Sequence, residues 1–330
     1  MEYVRLGRSG LKVSKLCLGC MTYGDKSWRD WILTEDESRP FFKEAIEAGI
    51  NFFDTADVYS HGASEVVTGR ALKEFAKRDE IVLATKVHNP VAKDAPAGGM
   101  DRGLSRKHIM AAIDASLTRL GVDYVDLYQI HRFDYDTPVE ETMEALHDIV
   151  KAGKVRYIGA SSMYAWQFSK MNHVARMNGW TPFVSMQPQL NLVYREEERE
   201  MLPLCREDGI GVIPWSPLAR GFLAGNRKRE GGGETSRAAT DPYAAMLYYK
   251  EADFAVVDAL STVAKAKGLS NMQVALAWVL AKPGVTAPII GASKPNHIRA
   301  ALSALDVQLT DDEIKTLEAP YRTREIGDHD

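Results

Sequence analysis

Hydrophobic and polar positions along the chain fall into short apolar runs and segments of helical period, and the two kinds alternate almost without interruption. The opening runs YVRLG and LKVSKL flank Arg8-Ser9-Gly10 and predict a β-hairpin. The apolar run 16–19 leads, after a loop, to the helical pattern SRPFFKEAIEAG, which Gly49 closes as a C-terminal cap. NFFD then precedes SEVVTGRALKEFA, and IVLATKV precedes SRKHIMAAIDASLTRLG. YVDLYQIHR is followed by PVEETMEALHDIVKAG, with Pro138 suited to a first helical turn. VRYIGAS pairs with AWQFSKMNHVARMNG, FVSMQ with EEEREMLPLCREDG, and IGVIPWSP runs into the longest irregular stretch, 221–250. Beyond it come DFAVVDALSTVAKAKG, then SNMQVALAWVLAKPG with Ser270 as N-cap. A last strand, APIIGA, precedes PNHIRAALSAL and a capped tail helix, TDDEIKTLEAPY.

These are eight strand–helix units at roughly thirty- to forty-residue spacing. The strands are apolar throughout rather than alternating, which suits a parallel sheet buried on both faces. Eight units with no linker between halves predict one domain over residues 1–330, a closed (β/α)8 TIM barrel with an N-terminal hairpin and extra C-terminal helices. A doubly wound sheet is the alternative, weakened because G-x-G-x-x-G occurs nowhere; a P-loop and a G-x-S-x-G elbow are also missing.

Composition narrows the functional classes. The 330 residues are 45% hydrophobic, enough for a large core, and the net charge of -4 offers no basic footprint for nucleic acid. No apolar run approaches the ~18 residues of a membrane span, and MEYVRLGRSG lacks the apolar core of a signal peptide. A soluble, cytoplasmic protein is expected, of unknown oligomeric state. Cys17 and Cys20 form a C-x-x-C, but no second such pair exists and they lie at the ends of an apolar strand, so packing is the expected role. Cys205 falls in a helical pattern and reads as core.

In such barrels the chemistry sits where the strands end. The second strand ends at Asp54 with Tyr59 five residues on, the third at Lys86, the fourth at His131, the fifth at Ser161 and Ser162, the sixth at Gln187 and the seventh at Trp215 and Ser216. Each has a plain structural reading as a cap, an ion-pair partner, a core histidine or a rim aromatic. Their convergence on consecutive strands points instead to one site. A metal centre fits poorly, because His131 is the only histidine at a clear inner strand end. A tyrosine, with a free pKa near ~10, is a poor acid. A nearby ammonium favours the phenolate, a carboxylate holds that ammonium in place, and a histidine can hydrogen-bond a carbonyl oxygen. That set delivers a proton to a forming oxyanion. A hydride donor is lacking, which calls for a nicotinamide.

At this point the motifs resemble the aldo-keto reductases over essentially the whole chain. They are D-T-A-x-x-Y at 54–59 followed by G-x-S-E, A-T-K ending at Lys86, and the histidine His131. K-x-G-K-x-R-Y-I-G-x-S follows at 151–161, then the Gln of SMQP, W-S-P-L at 215–218 and I-I-G-A-S at 289–293. Within the family the chain is most similar to the bacterial aryl-alcohol-dehydrogenase-like and potassium-channel-β-subunit-like branch. The resemblance implies NADPH bound across the barrel mouth and reduction of a small aldehyde or ketone. By it Tyr59 is the general acid, Lys86 tunes it, Asp54 pairs with Lys86, and His131 orients the carbonyl.

The resemblance also implies cofactor contacts. Trp215 stacks on the nicotinamide, Ser161, Ser162 and Gln187 meet the carboxamide, Thr22 the ribose, and Ser216, Leu218 and Gly221 the pyrophosphate. Ser293, Lys294 and His297 meet the adenosine 2′-phosphate, which favours NADP(H), with NAD(H) the alternative. The family's Glu-Asn pair for adenine falls at Ala300 and Ala301. Arg227, Lys228 and Arg229 suggest a basic flap over the phosphates, and Gly231-Gly232-Gly233 a mobile segment within it. Tyr23, Trp28, His88 and Arg132 are candidates for the substrate pocket, together with Met21 and Trp31. Two other functions remain open: a nicotinamide-binding regulatory or sensor subunit with little turnover, and sugar-phosphate chemistry in the same pocket.

Overall fold

Strand β1 (Tyr3–Arg5) pairs antiparallel with β2 (Lys12–Ser14), forming the hairpin. The computed structural model describes the chain except for residues 97, 231, 232, 234, 328 and 330 and the side chain of Ser236. Eight parallel strands follow: β3 (Cys17–Gly19), β4 (Phe52–Asp54), β5 (Val82–Val87), β6 (Val125–Ile130), β7 (Val155–Ser161), β8 (Ser185–Gln187), β9 (Gly211–Val212) and β10 (Ile289–Ile290). β10 lies beside β3, and the far edge returns to meet it. Thr286 N donates to Val212 O at 2.7 Å and Ile289 N to Pro214 O at 2.9 Å. The sheet therefore closes into the expected (β/α)8 barrel, which leaves no exposed edge.

Residue parity explains why the strands read as continuous apolar runs. Cys17, Phe52, Val82, Ala84, Leu127 and Ile213 share one buried cluster with Leu6 and Val13 of the hairpin region, inside the barrel. Their neighbours Leu18, Phe53, Leu83, Tyr128 and Val212 belong to the other cluster, packed against the helices. Apart from Arg156 and Tyr157 near the start of β7, both faces of the eight parallel strands are buried, so little along them needs to be polar. The C-x-x-C is split by the same parity: Cys17 lies in the interior cluster and Cys20 in the outer one. Burial pushes the Cys20 thiol up to about 12, the signature of packing rather than reactivity.

Local signals set most helix ends. Ser270 caps the helix Asn271–Ala281 by accepting from Gln273 N, and Thr310 with Glu313 forms a capping box on Asp311–Glu318. The first helix differs from expectation. It spans Glu35–Glu47 because Thr34 and Glu37 form a capping box one turn earlier, leaving Pro40 inside. The stretch expected to be irregular contains the short helices Ser236–Thr240 and Pro242–Leu247. Gly231 and Gly232, the core of the expected mobile segment, lie outside the described residues. No helix among the described residues is long and apolar enough to cross a membrane.

Candidate active site

The parity that makes the lower barrel apolar carries polar residues to its upper interior. Asp54 pairs with Ala84 across β4 and β5, Lys86 with Gln129 across β5 and β6, Gln129 with Gly159, and Ser161 with Gln187. Gly159 makes room here, since a Cβ would fall 2.3 Å from Ser185 Oγ and 3.3 Å from Gln129 Cγ. Asp54 is thereby enclosed. Lys86 Nζ donates to its Oδ2 at 2.6 Å, while Gln129 Nε2 and Gln187 Nε2 donate to its Oδ1 at 2.9 and 3.0 Å. The remaining donors of Lys86 go to Thr55 O at 2.8 Å and Tyr59 Oη at 3.4 Å.

Lys86 is fully buried. Burial by itself would lower its pKa, but the charge of Asp54, the phenol of Tyr59 and its hydrogen bonds outweigh that and hold it above its usual range. The ammonium is therefore charged, and all three of its donors are used.

Tyr59 reaches this ammonium from a tight turn. Ser60 and His61, both non-glycine, have φ of 50° and 53°, and Gly62 follows at 89°. Left-handed conformations cost of order 1–3 kcal/mol per non-glycine residue, so the surrounding structure must hold them. One restraint is His61 Nδ1, 2.8 Å from Val91 O. The Tyr59 ring then lies 4.9 Å from Lys86 Nζ, with His131 edge-on at 5.7 Å and Trp28 at 6.2 Å between centroids.

The net effect on the phenol differs from the sequence expectation. Burial raises the Tyr59 pKa, and Lys86, though the largest opposing influence, does not reverse it. His131 is also buried. Burial first, then the positive charges of Arg132 and Lys86, hold its pKa well below the usual histidine value. The imidazole is neutral, and its Nδ1 has no hydrogen-bond partner among the described residues.

A cavity of about 960 Å³ opens over these groups. Thr22, Ser161, Gln187, Trp215, Ser216, Leu218 and Gly221 line it, as do Ser293, Lys294 and His297 beyond β10. Trp28, His88 and Arg132 border it as well, with Met21 and Trp31.

Besides the fully buried Lys86, two expected site residues do not reach the cavity. Ser162 is one residue past Ser161 and so on the opposite parity; it is buried behind the wall, where its Oγ accepts from Trp215 Nε1 at 3.0 Å. Tyr23 is fully buried, packs on Phe42 at 5.0 Å and donates to Ala292 O at 2.8 Å, which makes it a core residue.

The basic run is also placed differently from expectation. Arg227 donates to Ala238 O, Arg229 bonds Glu251 and Asp258, and neither they nor Lys228 line the cavity. Arg220 and Arg237 take that place instead, sharing the carboxylate of Asp241. Sequence reasoning also missed Gln129, although it stands near the end of β6 two residues before His131 and so shares its face. Arg29, which also lines the cavity, escaped notice between Trp28 and Trp31.

Residues 15–322 match the aldo/keto reductase family. The chain is 46% identical over 343 residues to versiconal hemiacetal acetate reductase of Aspergillus parasiticus, covering 99% of this chain and 98% of that one. It is 44% identical over 340 residues to an aryl-alcohol dehydrogenase-like protein of Schizosaccharomyces pombe, covering 97% and 95%. To an aryl-alcohol dehydrogenase-like protein of Saccharomyces cerevisiae it is 41% identical over 341 residues, covering 98% and 97%. The aryl-alcohol-dehydrogenase-like character agrees with the sequence expectation, while these relatives are fungal rather than bacterial. The chain belongs to the aldo/keto reductase family, and it is an NAD(P)-dependent oxidoreductase acting on carbonyl groups.

Proposed function

We propose that this enzyme reduces aldehydes or ketones to alcohols with NADPH, Tyr59 being the proton donor. The observation that carries the reading is one buried ammonium shared by two groups: Lys86 Nζ lies 2.6 Å from Asp54 Oδ2 and 3.4 Å from Tyr59 Oη. The phenol oxygen accepts that hydrogen bond, so its own O–H is left to donate to a carbonyl oxygen in the cavity. As that oxygen gains negative charge, the proton moves from Tyr59 and the ammonium stabilises the phenolate left behind. Asp54, gripped by two glutamine amides, keeps the ammonium in position. His131, neutral and beside the phenol, hydrogen-bonds the same carbonyl oxygen and orients it.

The residues present fit a nicotinamide dinucleotide, which when bound supplies the hydride. The ring of Trp215 is fixed by its bond to Ser162 and offers a stacking face. Gln187 spends its amide N–H groups on Asp54 and Gln129, leaving Oε1 as an acceptor for a carboxamide. Ser216, Ala219, Arg220 and Gly221 all have positive φ, between 47° and 95°, the kind of backbone that turns N–H groups toward an anion. Thr22, which lines the cavity, would meet the ribose. Lys294, exposed at the rim, and His297 would meet a 2′-phosphate, and on them rests the choice of NADPH over NADH.

The test follows NADPH absorbance with a panel of aromatic and aliphatic aldehydes, dicarbonyls and aldose phosphates, alongside binding titrations of NADPH and NADH. Tyr59→Phe should lose about 10²- to 10⁴-fold in kcat while binding NADPH as wild type does. Undiminished turnover by the variant would remove Tyr59 as proton donor. Tight NADPH binding with no turnover in wild type would favour a nicotinamide sensor.

A further inference from the structure

We propose that Arg29 anchors an anionic group on the substrate, so that the preferred substrate class is an aromatic carbonyl compound carrying a carboxylate away from the reacting carbonyl. This rests on the reading of Tyr59 as the site of carbonyl reduction.

The guanidinium of Arg29 lies 4.9 Å from the centroid of the Trp28 ring and 5.9 Å from that of Trp31. Trp28 in turn lies 6.2 Å from the ring of Tyr59. The cavity wall therefore runs from the reacting phenol across one indole to a cation held against a second indole. Such rings hold a guanidinium by its face and leave its N–H edge free to bind.

That edge has no carboxylate or carbonyl partner among the described residues, and Arg29 is half-buried. Of the other cations of the cavity, Lys26 is paired with Glu37, Arg220 and Arg237 share Asp241, Arg132 donates to His131 O, and Lys294 stands at the end assigned above to the 2′-phosphate. Asp30 also lines the cavity but is exposed and makes no ion pair with Arg29. Flat indole walls favour an aromatic body, and the planar fork of an arginine favours a carboxylate.

The experiment compares 4-carboxybenzaldehyde with its methyl ester, which have the same reacting group and ring but differ in charge. In wild type the acid should have the lower KM, and added salt should narrow the difference. In Arg29→Leu the ratio of kcat/KM for acid over ester should fall about tenfold or more, the scale of losing a hydrogen bond to a charged group. The loss should lie in the KM of the acid, and Arg29→Lys should recover part of it. Equal losses on acid and ester would overturn the proposal, as would a matching loss of NADPH affinity, which would assign Arg29 to the cofactor.

Binding of the non-reducible 4-carboxybenzoate, read by tryptophan fluorescence, separates this proposal from the reductase reading. If no aldehyde is turned over at all, the reductase reading fails. Loss of carboxybenzoate binding in Arg29→Leu would still support the anchor, and unchanged binding would overturn it.

Discussion

Lys86 is fully buried, and each of its three donors meets an acceptor, one of which is the Asp54 carboxylate. Removing one partner of such a pair strands the other charge, so Lys86→Met should destabilise the fold by about 3–5 kcal/mol. Urea unfolding measures this, and a loss under about 1 kcal/mol would mean that Asp54 is solvated rather than sealed. The raised phenol of Tyr59 fixes the sign of the pH dependence. Reduction needs the protonated phenol, which is fully present below its pKa, above the ordinary value of 10. His131 is held below 6.5 and is already neutral. The profile of kcat/KM for reduction should therefore be flat from about pH 7 to 9 and fall only at more alkaline pH. A fall centred near neutrality in wild type that is missing from the residual activity of Tyr59→Phe would contradict the raised phenol. At this scale the four candidate residues could be gathered from the sequence because Asp54, Lys86 and His131 stand at or just past strand ends and Tyr59 follows in the loop after Asp54. Ser162 was misplaced because adjacent serines look alike until the pleat decides which one faces inward.

Between elements, one close approach is at Gly69. It sits in the helix Ala63–Phe75, where a Cβ would fall 2.0 Å from the backbone oxygen of Leu120, the last residue of the helix Arg106–Leu120. In an exposed helix Gly→Ala gains about 1 kcal/mol. Here the clash is with backbone that cannot rotate away, so Gly69→Ala should instead lose about 1–3 kcal/mol, the usual range for overpacking. Thermal unfolding decides the sign, and a stabilised variant would show that the helices can separate without cost. Most elements were legible from period and caps. Their ends were less so: the first helical pattern reads from Ser38, and the Thr34 capping box places its start a turn earlier. β9 and β10, of two residues each, are barely strands by pattern, and their pairing comes from barrel closure.

Over the whole molecule, the tail is tied to the barrel by a shared carboxylate. Glu318, at the end of the helix Asp311–Glu318, accepts from Trp278 Nε1 at 2.8 Å, Lys282 Nζ at 2.6 Å and Arg195 Nη2 at 2.8 Å. Burial alone would raise its pKa, but these donors and charges outweigh that and hold it below the ordinary 4.5. Its stabilisation is therefore complete above about pH 4.5 and fades as pH falls through the lowered value. Glu318→Gln should cost about 1–2 kcal/mol at pH 7, with the gap to wild type closing in acid. A gap independent of pH in urea titrations would mean that shape, not charge, ties the tail. The order of elements, the closed barrel and the strand-end residues follow from the sequence alone, because each is written in local period or in position at the end of a run. Other features were decided only by the tertiary structure: the two glutamines gripping Asp54, the dominance of burial over Lys86 at Tyr59, and the facing of Arg29, Arg220 and Arg237 rather than Arg227 and Arg229 toward the cavity. Burial and contact between residues far apart in the chain arise only when the barrel closes, and they leave no mark in the spacing of residues along it.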